Sequence, residues 1–252
     1  MGTIYTQHIH FTQDYGSIEP VEKKDFIEWA AKLAAGYHPS EAVRQQLAQV
    51  DLIALVGPTG VGKTTIISRL GIPYIASDVT RPQRDGEKNG HEYFFRSDYY
   101  DILKEIKAGE YAQFLVAKNG EFYGTRASSY PPSGPAVMAI IASAIPTFRT
   151  LGFRKVIPIY ILPPSYIEWM HRIGTDRVPD FAARMSEARE SLPMAFADPS
   201  YHLVLNDSLD NAVAEVQAII AGQPVPQHRI DLARSSADQL FGRLGIDDDL
   251  LN

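Results

Sequence analysis

The stretch GPTGVGKTT, residues 57–65, follows the apolar run DLIALV and matches the spacing G-x-x-x-x-G-K-[ST]. Each fixed position has a physical reason. The glycines let backbone N–H groups turn inward and approach an anion closely. Lys63 supplies a point charge for the β- and γ-phosphates of a nucleotide, and the hydroxyl of Thr64 suits a Mg2+ ion. A helix starting near Lys63 points its positive end at the same anion. Residues 52–56 read as a buried strand and 64–70 as the start of that helix, so strand, loop and helix stand in the order that a phosphate-binding loop (P-loop) needs. The residues expected to touch ATP here are Gly57, Pro58, Thr59, Gly60, Val61, Gly62, Lys63, Thr64 and Thr65, with Thr64 as the metal ligand.

A second stretch, SDVTRPQRDGEKNGHEYFF (77–95), sets Arg81 and Arg84 three apart in a turn-rich segment, and Gly86 and Gly90 bend the chain before Tyr93. Two guanidiniums and a phenol on one spot make a clamp for a monophosphate, because Arg matches phosphate oxygens two at a time. GEFYGT (120–125) adds the hydroxyls of Tyr123 and Thr125. On composition alone, a solvated charged loop is the competing reading.

The elements that must position these loops follow from periodicity. Apolar strands near 51–56, 136–142, 156–162 and 202–206 alternate with helical stretches, the pattern of an α/β fold with a parallel sheet. Between the first two strands, 76–126 is polar and aromatic and reads as a separate lobe. Residues 165–195 read as helices broken at Pro179 and Pro193, and 208–222 as an amphipathic helix. Upstream, TIYTQHIHF alternates like a short strand, 21–36 reads as a helix stopped by Gly36, and HPSEAVRQQLAQV as another capped by Ser40. His8 and His10 share one strand face; a metal pair is one reading, but two histidines without a third ligand are more often incidental. GQPVPQ (222–227) reads as a linker and 228–246 as a last helix, with Leu232, Leu240 and Phe241 exposed at near-helical spacing or packed on the chain's own core.

Composition narrows the partners. The 252 residues are 45% hydrophobic and 21% charged, which suits one domain with appendages or two small ones. A net charge of −6 provides no broad basic surface, so nucleic acid is not expected as a partner, while a free nucleotide needs only a local cluster of cations. There is no cysteine, hence no disulfide framework and no thiolate metal site. The N-terminus lacks a basic region followed by an apolar core, and the longest apolar run, 136–145, is too short to span a bilayer. The expectation is a cytoplasmic protein without a membrane partner, monomeric or homodimeric.

GPTGVGKTT followed by S-x-x-T-R-x-x-R-x-G-E-x-x-G-x-x-Y-x-F, then F-Y-G-T, then I-L-P-P-S, resembles guanylate kinase over about 51–222. The resemblance implies a P-loop core (51–76 and 127–222), a small lobe binding a nucleoside monophosphate (77–126) and a helical lid (about 165–195). Residues 1–50 and 223–252 would then be extensions. It also implies phosphate transfer from ATP to GMP or dGMP with Mg2+ as cofactor. Carried over residue by residue, Ser77 and Thr125 would lie near the base, and Arg81, Arg84, Tyr93 and Tyr123 would hold the acceptor's phosphate. Arg184 would face the transferring phosphate, and Asn206 of the NDS segment would lie near the adenine.

Three departures from the family pattern follow. Gln113 falls where the family carries a glutamate against the guanine edge, in a segment about one residue longer than usual. A carboxylate accepts from both N1–H and the amino group of guanine, whereas an amide offers one acceptor beside donors. The strand that should end L-D-I-D reads VMAIIASAI, and no Asp or Glu occurs between Arg126 and Glu168. The lid motif R-G-T-D reads RIGTD, which displaces Arg172 by one position, roughly 100° around a helix. Arg184 is then the main lid arginine, with Arg177 as a substitute. A non-catalytic nucleotide- or protein-binding module, and an ATPase switch, are the competing functional readings.

Overall fold

The computed structural model describes residues 21–91, 93–174 and 181–245. The chain opens with α1 (Lys23–Ala34) and α2 (Glu41–Leu47), then enters β1 (Val50–Val56) and α3 (Lys63–Leu70). A middle segment holds β2 (Ser77–Val79), β3 (Tyr93–Phe95), α4 (Tyr99–Lys107), β4 (Tyr111–Val116) and β5 (Phe122–Arg126). The chain then returns through β6 (Gly134–Ala139), α5 (Ile145–Thr150), β7 (Lys155–Leu162), α6 (Tyr166–Ile173), α7 (Phe181–Ala197), β8 (His202–Leu205), α8 (Leu209–Ile220) and α9 (Gln227–Leu244).

VDLIALV is apolar at nearly every position because β1 lies inside a sheet covered on both faces. The order is β6-β1-β7-β8, with every pairing parallel. Helices pack on this sheet to form the main core, which includes Leu52, Leu55, Ile66, Val137, Ile161 and Trp169. The middle segment folds as a second sheet, β3-β2-β5-β4. Asp78 is fully buried there and is held by Arg96 (2.9 Å), Arg126 (2.8 Å) and the Tyr111 hydroxyl (2.6 Å). These contacts join three strands through one carboxylate.

The extensions are built into both bodies. On α1, Phe26 and Ala30 complete the lobe's own apolar cluster with Ile102, Ile106, Tyr111 and Phe122, and Lys23 pairs with Glu121 at 2.7 Å. On α2, Val43 and Leu47 join the main core instead, and Ser40 caps the helix by accepting from Val43 N. Two helices that are adjacent in sequence therefore straddle the junction between the sheets.

One expectation needs correction. Pro193 lies inside α7 and does not end it. Its missing N–H removes one helical hydrogen bond, and burial of Ala188, Leu192 and Ala195 along that helix offsets the loss. Of the two readings of the last helix, packing on the chain's own core holds for Leu240 and Phe241, which α9 seats in the main core, while Leu232 stays in solvent. The segment 3–11 with His8 and His10, the lid residues Arg177 and Pro179, and the end of the chain lie outside the described residues. No described helix is long and apolar enough to cross a membrane.

Candidate active site

The P-loop sits at the C-terminal edge of β1, where backbone geometry explains its glycines. Gly57 adopts φ 138°, and a Cβ there would fall 2.5 Å from the Ile161 carbonyl oxygen. Gly62 adopts φ 96°, and its Cβ would meet Asn206 Nδ2 at 2.5 Å. No side chain fits at either position. Directly after Gly62, α3 begins at Lys63, leaving Thr64 and Thr65 exposed in its first turn. Lys63 Nζ donates to the carbonyls of Gly57 (2.5 Å) and Pro58 (3.0 Å), so the ammonium lies within its own loop.

Residues far away in sequence hold the loop from outside. Trp169 Nε1 donates to the Thr59 carbonyl (2.8 Å), and Asn206 Nδ2 donates to the Val61 carbonyl (2.7 Å). Thr59 Oγ1 donates to Glu187 Oε2 at 3.2 Å. Burial lowers the Lys63 pKa to about 8, and the Glu187 carboxylate works against that shift. Below that value Lys63 is a cation able to bind phosphate; above it the charge is lost. ATP affinity of the free protein is therefore expected to fall about tenfold per pH unit above the Lys63 pKa, and Glu187→Gln should move the break to lower pH. Titrating ATP binding against pH checks this, and a profile flat into the ordinary lysine range would refute it.

The lid arginines differ in placement. Arg172 Nε meets Glu168 (3.2 Å) and its Nη2 donates to the Asn206 carbonyl (3.2 Å), which turns it toward the loop after β8. Arg184 is partly exposed on α7, three residues before Glu187 and so on a neighbouring part of the same helix face.

In the lobe, Arg81 is almost buried. It pairs with Glu87 through both terminal nitrogens (2.7 and 2.6 Å) and lies over the rings of Tyr93 (4.9 Å) and Phe95 (5.2 Å). Tyr93 and Tyr123 meet edge to face at 6.4 Å. The structure thus brings Arg81, Tyr93 and Tyr123 together. Arg84 has an exposed side chain, and its backbone N–H joins the group by donating to Glu87 (2.8 Å). Ser77 is buried at the start of β2. Gln113 Nε2 donates to Thr125 Oγ1 at 2.8 Å across β4 and β5. Two steps on β4, Tyr111 to Gln113, match one on β5, which takes up an additional residue in β4. Thr125 is fully buried, so its hydroxyl orients the Gln113 amide.

Past β6, where the strand carries no acid, the exposed Ile141 leads into Ala142 and Ser143. A cavity of about 350 Å³ separates this end from Ser186, Glu187 and Glu190 of α7. The carboxylates that line this cavity therefore come from α7. Glu187 and Trp169 escape a sequence reading, because a glutamate on a polar helix and a tryptophan on an amphipathic one carry no spacing signal. Among the described residues no group of three or more His, Cys, Asp or Glu could hold a metal. The Thr64 hydroxyl, exposed in the first turn of α3, is a hard oxygen donor, which fits an ion such as Mg2+ that keeps several waters.

Residues 49–223 match the family model described as guanylate kinase. The chain belongs to the guanylate kinase family. Guanylate kinase from Thermotoga maritima is 30% identical over 183 residues, covering 68% of this chain and 86% of that protein. The Prochlorococcus marinus guanylate kinase is 34% identical over 185 residues, covering 67% and 96% respectively. The crystal structure of guanylate kinase from Anaplasma phagocytophilum superposes with a TM-score of 0.51 at 20% identity, covering 80% of this chain and 98% of that one. That likeness speaks to the fold, the α/β fold of P-loop NTPases. Both α1 and α9 lie outside the guanylate kinase match.

Proposed function

We propose that this guanylate kinase family member is an ATP-dependent nucleoside monophosphate kinase that transfers the γ-phosphate of ATP to GMP, dGMP or a related monophosphate. The observation that carries the proposal is the intact P-loop, with both positive-φ glycines in place and Lys63 held inside the loop. The intact loop argues for ATP binding at least, which a module that binds only protein partners would not need.

Phosphoryl transfer asks little covalent chemistry of a protein; it needs in-line placement and positive charge around the equatorial oxygens. Lys63 and the N–H groups of the loop bind the β- and γ-phosphates. Arg81, Tyr93 and Tyr123, with Arg84 beside them, bind the acceptor's phosphate, and Glu87 fixes the Arg81 fork. The attacking group is already an anionic phosphate oxygen, so no base is needed. Arg184 neutralises charge on the transferring group, and closure of α6 and α7 excludes water. Thr64 would hold Mg2+, which when bound neutralises charge on the phosphate oxygens. With Gln113 where the family carries a glutamate, the base of the acceptor is guanine or another base that does not need that carboxylate.

Coupled ADP release with ATP, Mg2+ and a panel of monophosphates tests the reading. Acceptor-dependent ADP is expected, and the panel names the base. ADP without any acceptor indicates an ATPase, and tight ATP binding without turnover indicates a module. Arg84→Ala is expected to raise the acceptor KM about ten- to a hundredfold, the loss of one charge-assisted contact, with ATP kinetics nearly unchanged. Unaltered acceptor kinetics would remove Arg84 from the clamp.

A further inference from the structure

Arg229 is the third residue of α9 and almost buried. Its Nη1 and Nη2 grip Asp207 as a fork (2.6 and 2.9 Å). Nη2 also donates to the Leu205 carbonyl (3.1 Å), and Nε donates to Glu215 (2.5 Å). Asp207 further accepts from Ser208 N at 2.7 Å, which closes the turn after β8.

Asn206 stands between Leu205 and Asp207, both of which Arg229 holds. It is 7% exposed, it donates to Val61 in the P-loop, and its amide nitrogen occupies the space a Gly62 side chain would need. Its carbonyl receives Arg172. A planar fork on Asp207 fixes direction as well as distance, so the orientation of Asn206 against the P-loop depends on a helix outside the family match. The helix is itself anchored along its length. Ser236 Oγ donates to the Pro163 carbonyl (2.6 Å), and Arg189 of α7 donates to the Leu244 carbonyl (2.9 Å).

We infer that Arg229 is a positioning residue of the ATP site: it sets the Leu205–Asp207 turn and, through Asn206, the geometry of the P-loop. The inference rests on the reading that this loop binds ATP, and it makes α9 a working part of nucleotide binding. A helix that served only stability would lower the melting temperature without separating the two substrates.

Two full-length variants test it. Arg229→Lys keeps the charge and loses the fork. Asp207→Asn weakens the fork and leaves the Arg229–Glu215 pair in place. ATP dissociation constants, KM for each substrate and melting temperatures are measured for both and for the double variant. ATP binding is expected to weaken about tenfold in each single variant, the acceptor KM to stay unchanged, and the double variant to be no worse than the singles, because one link is cut twice. ATP affinity within twofold of the parent in both folded variants would overturn the inference while leaving the kinase reading intact, and so would equal rises in both KM values. A parent protein that failed to bind ATP would overturn both.

Discussion

Lys63→Ala is expected to lower phosphoryl transfer by about a thousandfold or more, on the scale of removing one preorganised charge from a transition state, while leaving the fold in place. The two halves of this prediction have separate causes. Lys63 Nζ donates to two carbonyls of its own loop, Gly57 and Pro58, and makes no ion pair with another element among the described residues. Its burial also lowers its pKa to about 8, so the folded state holds the cation at a cost. Removing the ammonium therefore relieves desolvation as it deletes two hydrogen bonds, and the melting temperature should move little. Turnover depends on the same charge, because no other described cation lies within the loop. Single-turnover kinetics beside a thermal melt check both halves. A variant retaining a tenth of the parental rate would show that this lysine does not serve the transferring phosphate.

Phe26→Ala is expected to destabilise the protein by about 3–5 kcal/mol, the usual range for emptying a buried phenylalanine site. Phe26 has no exposed surface. Its ring stacks on Tyr99 at 5.0 Å and meets Phe122 edge-on at 5.5 Å, so it joins α1 to α4 and to β5 at once. At roughly 2–4 °C per kcal/mol for a chain of this size, the melting temperature should fall by about 10 °C. Hydrogen exchange should show protection lost first in α4 and the lobe sheet, and only later in β1 and β7, because Phe26 belongs to the lobe cluster and not to the main core. A melting temperature unchanged within the error of the measurement would mean that α1 is an ornament on the lobe and not part of its core.

Local chemistry was legible in the sequence to the extent that it is carried by neighbouring residues. GPTGVGKTT specifies its own loop because nine consecutive residues set the backbone freedom, the charge and the helix start together. Ser40 is a cap for the same reason: it accepts from the N–H of Val43, three residues ahead. The parallel sheet was readable because four apolar runs, each too apolar for a solvated strand, alternate with helices. Pro193 misled because a rule about one missing N–H says nothing of the face that α7 buries. Leu240 and Phe241 were readable as a stripe, but what the stripe meets is not a local property.

By itself, then, the amino-acid order determined the phosphate loop, the alternating strands and helices, and the set of guanidiniums and hydroxyls available for an acceptor. Tertiary structure alone decided that Glu187 faces the loop across 128 residues of chain, that Asn206 reaches Val61 across 145, and that Arg229 holds the turn on which Asn206 sits. The physical reason is that a hydrogen bond between distant residues has no period and no spacing. It exists only after apolar faces on α7, α8 and α9 have chosen their places on the sheet, and burial, not pattern, makes that choice.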